Sequence, residues 1–168
     1  ILADTVFQQL AGHLTTHIEI LALACEKAGA SQSSISSISG STNLADTLTD
    51  TVQQQIAART SGVMDMAELL AKELGSDSST LSSIASSVSL NDTLSDTVFQ
   101  QMSARQAGVV KMLGAAVTAA GADSSVASGI ESAMSTDDIL IDTAQQQFAA
   151  RIKRAFEMTR ELARAIIQ

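Results

Sequence analysis

The chain repeats itself every 46 residues, and that period constrains its fold more than any other feature. Asp4-Thr5, Asp50-Thr51, Asp96-Thr97 and Asp142-Thr143 stand 46 apart. So do Gln8-Gln9, Gln54-Gln55, Gln100-Gln101 and Gln146-Gln147, the residues Leu2, Leu48, Leu94 and Leu140, and Gly29, Gly75 and Gly121. No insertion breaks the register. Residues 1–46, 47–92, 93–138 and 139–168 therefore read as one domain of three full units and a partial fourth. A period of this length marks a repeat architecture in which each unit buries its apolar face against its neighbour.

Each unit reads as two helices. The long one is expected to open after Asp46, Asp92 or Asp138, where a carboxylate caps free N–H groups and meets the positive end of the helix dipole. It is expected to close at Gly29, Gly75 or Gly121, because glycine takes the left-handed conformation at a helix end at little cost. In the second unit that span is Thr47 to Leu74, 28 residues. The Ser-rich stretch that follows would pass for a linker but for its apolar residues. Leu81, Ile84 and Val88 fall at i, i+3 and i+7, and Ile35 and Ile38 match them in the first unit. That spacing predicts a short amphipathic helix capped by Asp77. Serine is a mediocre helix former, so this element is expected to span about 11 residues and to hold only when packed.

The predicted fold class is all-α, a tandem helical repeat without a single Pro to interrupt it. The 18 residues from Gly75 to Asp92 can retrace most of a long helix, which makes a parallel array feasible. The sequence admits either a solenoid-like stack or a bundle of four long helices.

Hydrophobic residues make up 45% of the chain and aromatics only 2%, so the core must be aliphatic. The net charge of −8 is uneven: residues 1–138 hold fifteen acids and five bases, and 139–168 hold three acids and five bases. An acidic body without bases interleaved among aromatics argues against nucleic-acid binding. No run approaches the roughly 20 apolar residues of a membrane span, and the best, Ile18 to Cys25, contains Glu19. Cys25 is the only cysteine, so no internal disulfide can form. The chain begins at Ile1 without a signal peptide and is read as a fragment or processed product.

One polar feature recurs on the apolar stripe. In the second unit Val52, Ile56, Val63, Ala67, Leu70 and Leu74 share a narrow helical arc, and Arg59 lies within it. Its counterparts are His13, Arg105 and Arg151, and Gln9, Gln55, Gln101 and Gln147 stand four residues before them. A buried guanidinium is costly unless its donors are met. These eight residues are read as a structural polar ladder that fixes how units stack. The alternatives are a row of anion sites, or Arg side chains that snorkel to solvent. The last helix carries Lys153, Arg154, Arg160 and Arg164 among Glu157 and Glu161, a salt-bridged solvated face or an assembly face for the acidic front of another copy.

No residue set reads as catalytic. His13 and His17 share a helical face at i, i+4, but a metal site needs a third ligand and Cys25 lies well round the helix, so no metal or cofactor is expected. His17 aligns with Val63, Val109 and Ala155, which predicts a buried neutral imidazole. Cys25 aligns with Ala71, Val117 and Ala163, which predicts a small core residue rather than a nucleophile. Gly62 and Gly108, inside long helices, predict close packing or mild kinks.

The segments "LADTVFQQ", "LTDTVQQQ" and "LSDTVFQQ" resemble the aliphatic-Thr-Asp-small-Val-x-Gln segment of the killing-trait proteins that build bacterial R-bodies, which are coiled protein ribbons. The resemblance covers about seven positions per unit. It implies self-assembly and carries over no functional residues. The expected function is a structural or interaction protein whose partner is itself or another protein. The rival expectation is an amphipathic-helix protein that binds a lipid surface or hydrophobic ligand.

Overall fold

A computed structural model of the chain describes residues 2–47, 52–94, 98–140 and 143–167. Those residues are all-α. They form α1 (Leu2–Ala28), α2 (Gln32–Thr47), α3 (Val52–Glu73), α4 (Ser78–Leu94), α5 (Val98–Ala119), α6 (Ser124–Leu140) and α7 (Ala144–Ile167). Long helices of 22 to 27 residues alternate with short ones of 16 or 17.

Local signals explain where the long helices stop. Gly29, Gly75 and Gly121 have φ of 100°, 100° and 94°, a region that side chains disfavour. Each glycine N–H donates to the carbonyl three residues back, and the next N–H to the carbonyl five back, as in Ala30 N to Cys25 O at 2.9 Å. This pair of hydrogen bonds satisfies carbonyls that a helix end otherwise leaves open. Two residues past each glycine the chain restarts on an aligned cap. The Ser34 N–H donates to Ser31 Oγ at 3.2 Å, Ser79 N–H to Asp77 Oδ1 at 3.3 Å, and Ser125 N–H to Asp123 Oδ1 at 3.0 Å. The Ser79 hydroxyl, which also donates to Asp77, and the Ser79 N–H hold the exposed Asp77 carboxyl below its ordinary range, and the Ser125 N–H does the same for Asp123.

The short helices run further than the sequence predicts. α4 is 17 residues rather than about 11, and Asp46, Asp92 and Asp138 belong to the ends of α2, α4 and α6 instead of opening the long helices. The physical reason is the lack of any stop signal: no Gly or Pro falls between Ser41 and Thr51 or at the matching positions. The long helices are correspondingly shorter, 22 residues for α3 instead of 28. The side chains of Asp46, Asp92 and Asp138, and Asp50, Asp96 and Asp142 altogether, lie outside the described residues, as does the Val52 side chain. At α7 the cap is Thr143, whose Oγ1 accepts from the Gln146 N–H at 3.2 Å.

The long helices pack in chain order, α1 on α3, α3 on α5 and α5 on α7, and a looser α1–α7 contact closes the ring. They run parallel. Arg59 of α3 reaches Ala11 of α1, and further along Met66 of α3 accepts from Cys25 of α1. Equivalent residues consequently share levels: Ile56, Met102 and Phe148 form one buried layer, and Leu21, Ala67, Leu113 and Thr159 another. The short helices return antiparallel on the outside, α2 against α1 and α3, α4 against α5, and α6 against α5 and α7. Their stripes point inward, with Ile35, Leu81 and Ala127 buried at one equivalent position.

Candidate functional site

The polar residues picked out by the repeat sit where long helices meet. Arg59 Nη1 donates to Ala11 O at 3.0 Å, and Arg151 Nη1 donates to Ser103 O at 2.6 Å, in each case 48 residues back. Arg105 Nη1 donates to Ser61 Oγ at 3.2 Å, 44 residues back. Every rung therefore runs from one unit to the long helix of the unit before it. The three Arg side chains are half-buried rather than embedded in the core, because the reach of the side chain carries the guanidinium to the edge of the seam. Gln55, Gln101 and Gln147 are half-buried, whereas Gln9 and His13 are exposed. His13 thus stands apart from the Arg rungs and lines the groove between α1 and α7.

His17 is fully buried between α1 and α7. Its Nε2 lies 2.8 Å from Thr159 Oγ1, and its ring stacks on Phe156 with centroids 4.3 Å apart. The Thr159 hydroxyl donates its one hydrogen to Ala155 O at 2.9 Å. His17 must then donate from Nε2, which leaves Nδ1 as an acceptor without a partner. A second proton would have to sit on Nδ1, away from water and from any acceptor, and burial lowers the imidazole pKa to about 4. Burial likewise pushes the Cys25 thiol up to about 12, with Glu73 adding to the shift, so the thiolate that nucleophilic chemistry needs does not form near neutrality. Among the described residues no group of three His, Cys, Asp or Glu side chains is placed to hold a metal ion.

Two features escape a reading of the repeat's landmarks. Leu14, Thr60, Gln106 and Ile152 occupy one equivalent position, and all are buried. Thr60 Oγ1 donates to Ile56 O at 2.8 Å, but the Gln106 amide finds no partner for its oxygen or nitrogen among the described residues. The column was visible in the sequence, since Gln106 is the one amide in it. The second feature is the α1–α7 seam, where Ile20 and Leu23 are exposed by 38% and 67%. Grooves of about 740 and 760 Å³ run along it, floored by Ala24, Leu162 and Ile166 at one level and by Leu10, Ile152 and Phe156 at the other.

The basic residues of α7 divide. Arg154 pairs with Glu157 at 2.9 Å and Arg164 with Glu161 at 2.8 Å, both within the helix. Lys153 and Arg160 are exposed and line the α1–α7 groove beside Glu157. The opposite face of α7 buries Phe148, Ile152, Ala155, Met158 and Leu162, so this helix is part of the core as well as a charged surface. No described helix is long and apolar enough to cross a membrane. No model of a known protein family matches the chain, nor does any curated protein or solved structure.

Proposed function

We propose that the chain is a structural helical repeat protein that self-associates or serves as a scaffold for protein–protein contacts. The observation that carries this reading is the repeated rung: Arg59 to Ala11 O and Arg151 to Ser103 O span the same 48 residues. Units that meet their neighbours in one equivalent way suit a protein whose role is shape. The resemblance of the helix openings to R-body proteins points the same way.

Light scattering and negative-stain microscopy across a concentration series test the proposal. Assemblies larger than the monomer are expected, and they should shrink when Lys153 and Arg160 are reversed to Glu. Charge reversal is the informative change, because deleting residues 151–168 would also remove core residues Ile152, Met158 and Leu162. A chain that stays monomeric at every concentration would count against self-association. The exposed Ile20 and Leu23 favour one second reading, a lipid or hydrophobic-ligand carrier. Co-sedimentation of a monomeric chain with vesicles would favour that reading.

A further inference from the structure

A ring of four long helices has four outer grooves, and three of them hold a short helix of this chain. α2 packs on α1 and α3, and α6 packs on α5 and α7. α4 sits where Met64 of α3 approaches Gly108 of α5, with Val88 over the same glycine. The fourth groove, between α7 and α1, has no helix over it among the described residues. Its walls show what an outer helix covers elsewhere: Ile20 is 38% exposed, whereas Met66, Met112 and Met158 at the equivalent positions of α3, α5 and α7 are fully buried, and Leu23 is exposed where its equivalent Leu69 is half-buried.

Charge narrows the occupant. Lys27, Lys153 and Arg160 stand along the bare groove with Glu26 and Glu157, a basic rim on a chain of net charge −8. The short helices have the opposite character. α2, α4 and α6 contain no Lys or Arg, and all their ionisable residues are acids, such as Asp92 in α4 and Glu131 in α6. The rim of the fourth groove therefore complements the kind of helix that fills the other three.

We propose that the α7–α1 groove is a docking site for a separate acidic, serine-rich amphipathic helix of the α4 type, with aliphatic residues at i, i+3 and i+7 and no basic residues. The proposal rests on the scaffold reading and names its partner. Docking would cover Ile20 and Leu23 and set acids of the incoming helix beside Lys153 and Arg160. It is the helix-in-groove mode of recognition, in which apolar anchors give affinity and the rim gives orientation.

A fluorescent peptide of residues 77–94, titrated with the full chain to millimolar concentration, tests this. Saturable binding is expected, weaker in high salt and about tenfold or more weaker for Leu23→Glu, whose exposed position leaves the fold intact. A peptide with Leu81, Ile84 and Val88 changed to Ser should not bind. Fusing a second copy of residues 77–94 after Gln168 through a flexible linker should raise the Tm, and Leu23→Glu should cancel the rise. The proposal is overturned by absence of peptide binding together with an unchanged Tm of the fusion, or by binding indifferent to Leu23→Glu. It is also overturned if Leu23→Glu instead abolishes dimerisation or capture by anionic vesicles while the peptide stays unbound. Peptide failure alone leaves the size measurements of the parent chain, and so the scaffold reading, unaffected.

Discussion

Val88 of α4 occupies the space directly above Gly108 of α5, and Thr42 of α2 stands in the same relation to Gly62 of α3. Both pairs are 20 residues apart, so one contact is made twice, in successive units. A Cβ at either glycine would overlap a β-branched side chain that cannot swing away.

Replacing Gly108 by Ala sets two effects against each other. Better helix propensity is worth up to about 1 kcal/mol, and overpacking costs roughly 1–3 kcal/mol. We expect net destabilisation of about 1 kcal/mol in urea unfolding, with positive coupling to Val88→Ala in a double-mutant cycle. Gly12→Ala, where a Cβ would meet nothing within 4 Å, should stabilise instead. Equal effects at the two sites would refute the close-approach role of Gly108.

Acid should weaken the fold through His17. Its pKa falls from 6.5 to about 4 on folding, so between those values the unfolded chain binds a proton that the folded chain does not. Stability is unaffected by this group above pH 6.5 and declines as pH falls toward 4, by about 3 kcal/mol in total. The difference between the parent and His17→Val, the residue at the equivalent position of the next two units, isolates it. Between pH 7 and pH 4.5 the parent's denaturation midpoint should fall further than that of His17→Val, and parallel curves would contradict the assignment.

Gln106 is a further buried polar group with an unmet cost, since neither atom of its amide has a partner among the described residues. An unpaired amide in a core costs roughly 1–3 kcal/mol, so Gln106→Met, similar in shape, should raise the denaturation midpoint by a corresponding amount with an unchanged m-value. An unchanged or lowered midpoint would show that the amide has a partner. A polar residue in such a layer is also a device for holding helices in one register.

The rungs should distinguish Arg from Lys. Arg151→Met is expected to cost about 1 kcal/mol, a charged hydrogen bond discounted for partial exposure. Arg151→Lys should recover little of it, because a shorter reach and a point charge do not reproduce the guanidinium's approach to Ser103 O. Full recovery by Lys would reduce the rung to simple charge.

Much of this arrangement was legible in the sequence, and the misses have physical causes. The glycine stops and the Asp77 cap are local events, decided by backbone conformation and a nearby side chain, and they fall where the residues predict. The far ends of the short helices carry no Gly or Pro, so no local signal marked where they stop. Direction was hidden too. Helices of this length pack either way, and only pairs such as Cys25 with Met66 reveal that the long ones run parallel. Among the polar positions, the Arg column was visible as a repeat, whereas the acceptor facing each Arg is a backbone carbonyl or a serine of another unit, which no spacing rule identifies.

The seam between α1 and α7 also has a kinetic meaning. Rungs between successive long helices join residues 44 or 48 apart, but His17 and Thr159 are separated by 142. Contacts one unit apart form with modest loss of chain freedom, and the last seam requires the whole strip to curl round before it can shut. The chain is in this sense a ribbon fastened by a single clasp. Amides flanking His17 and Thr159 should exchange with solvent ahead of those between α3 and α5, through openings that leave the individual units folded.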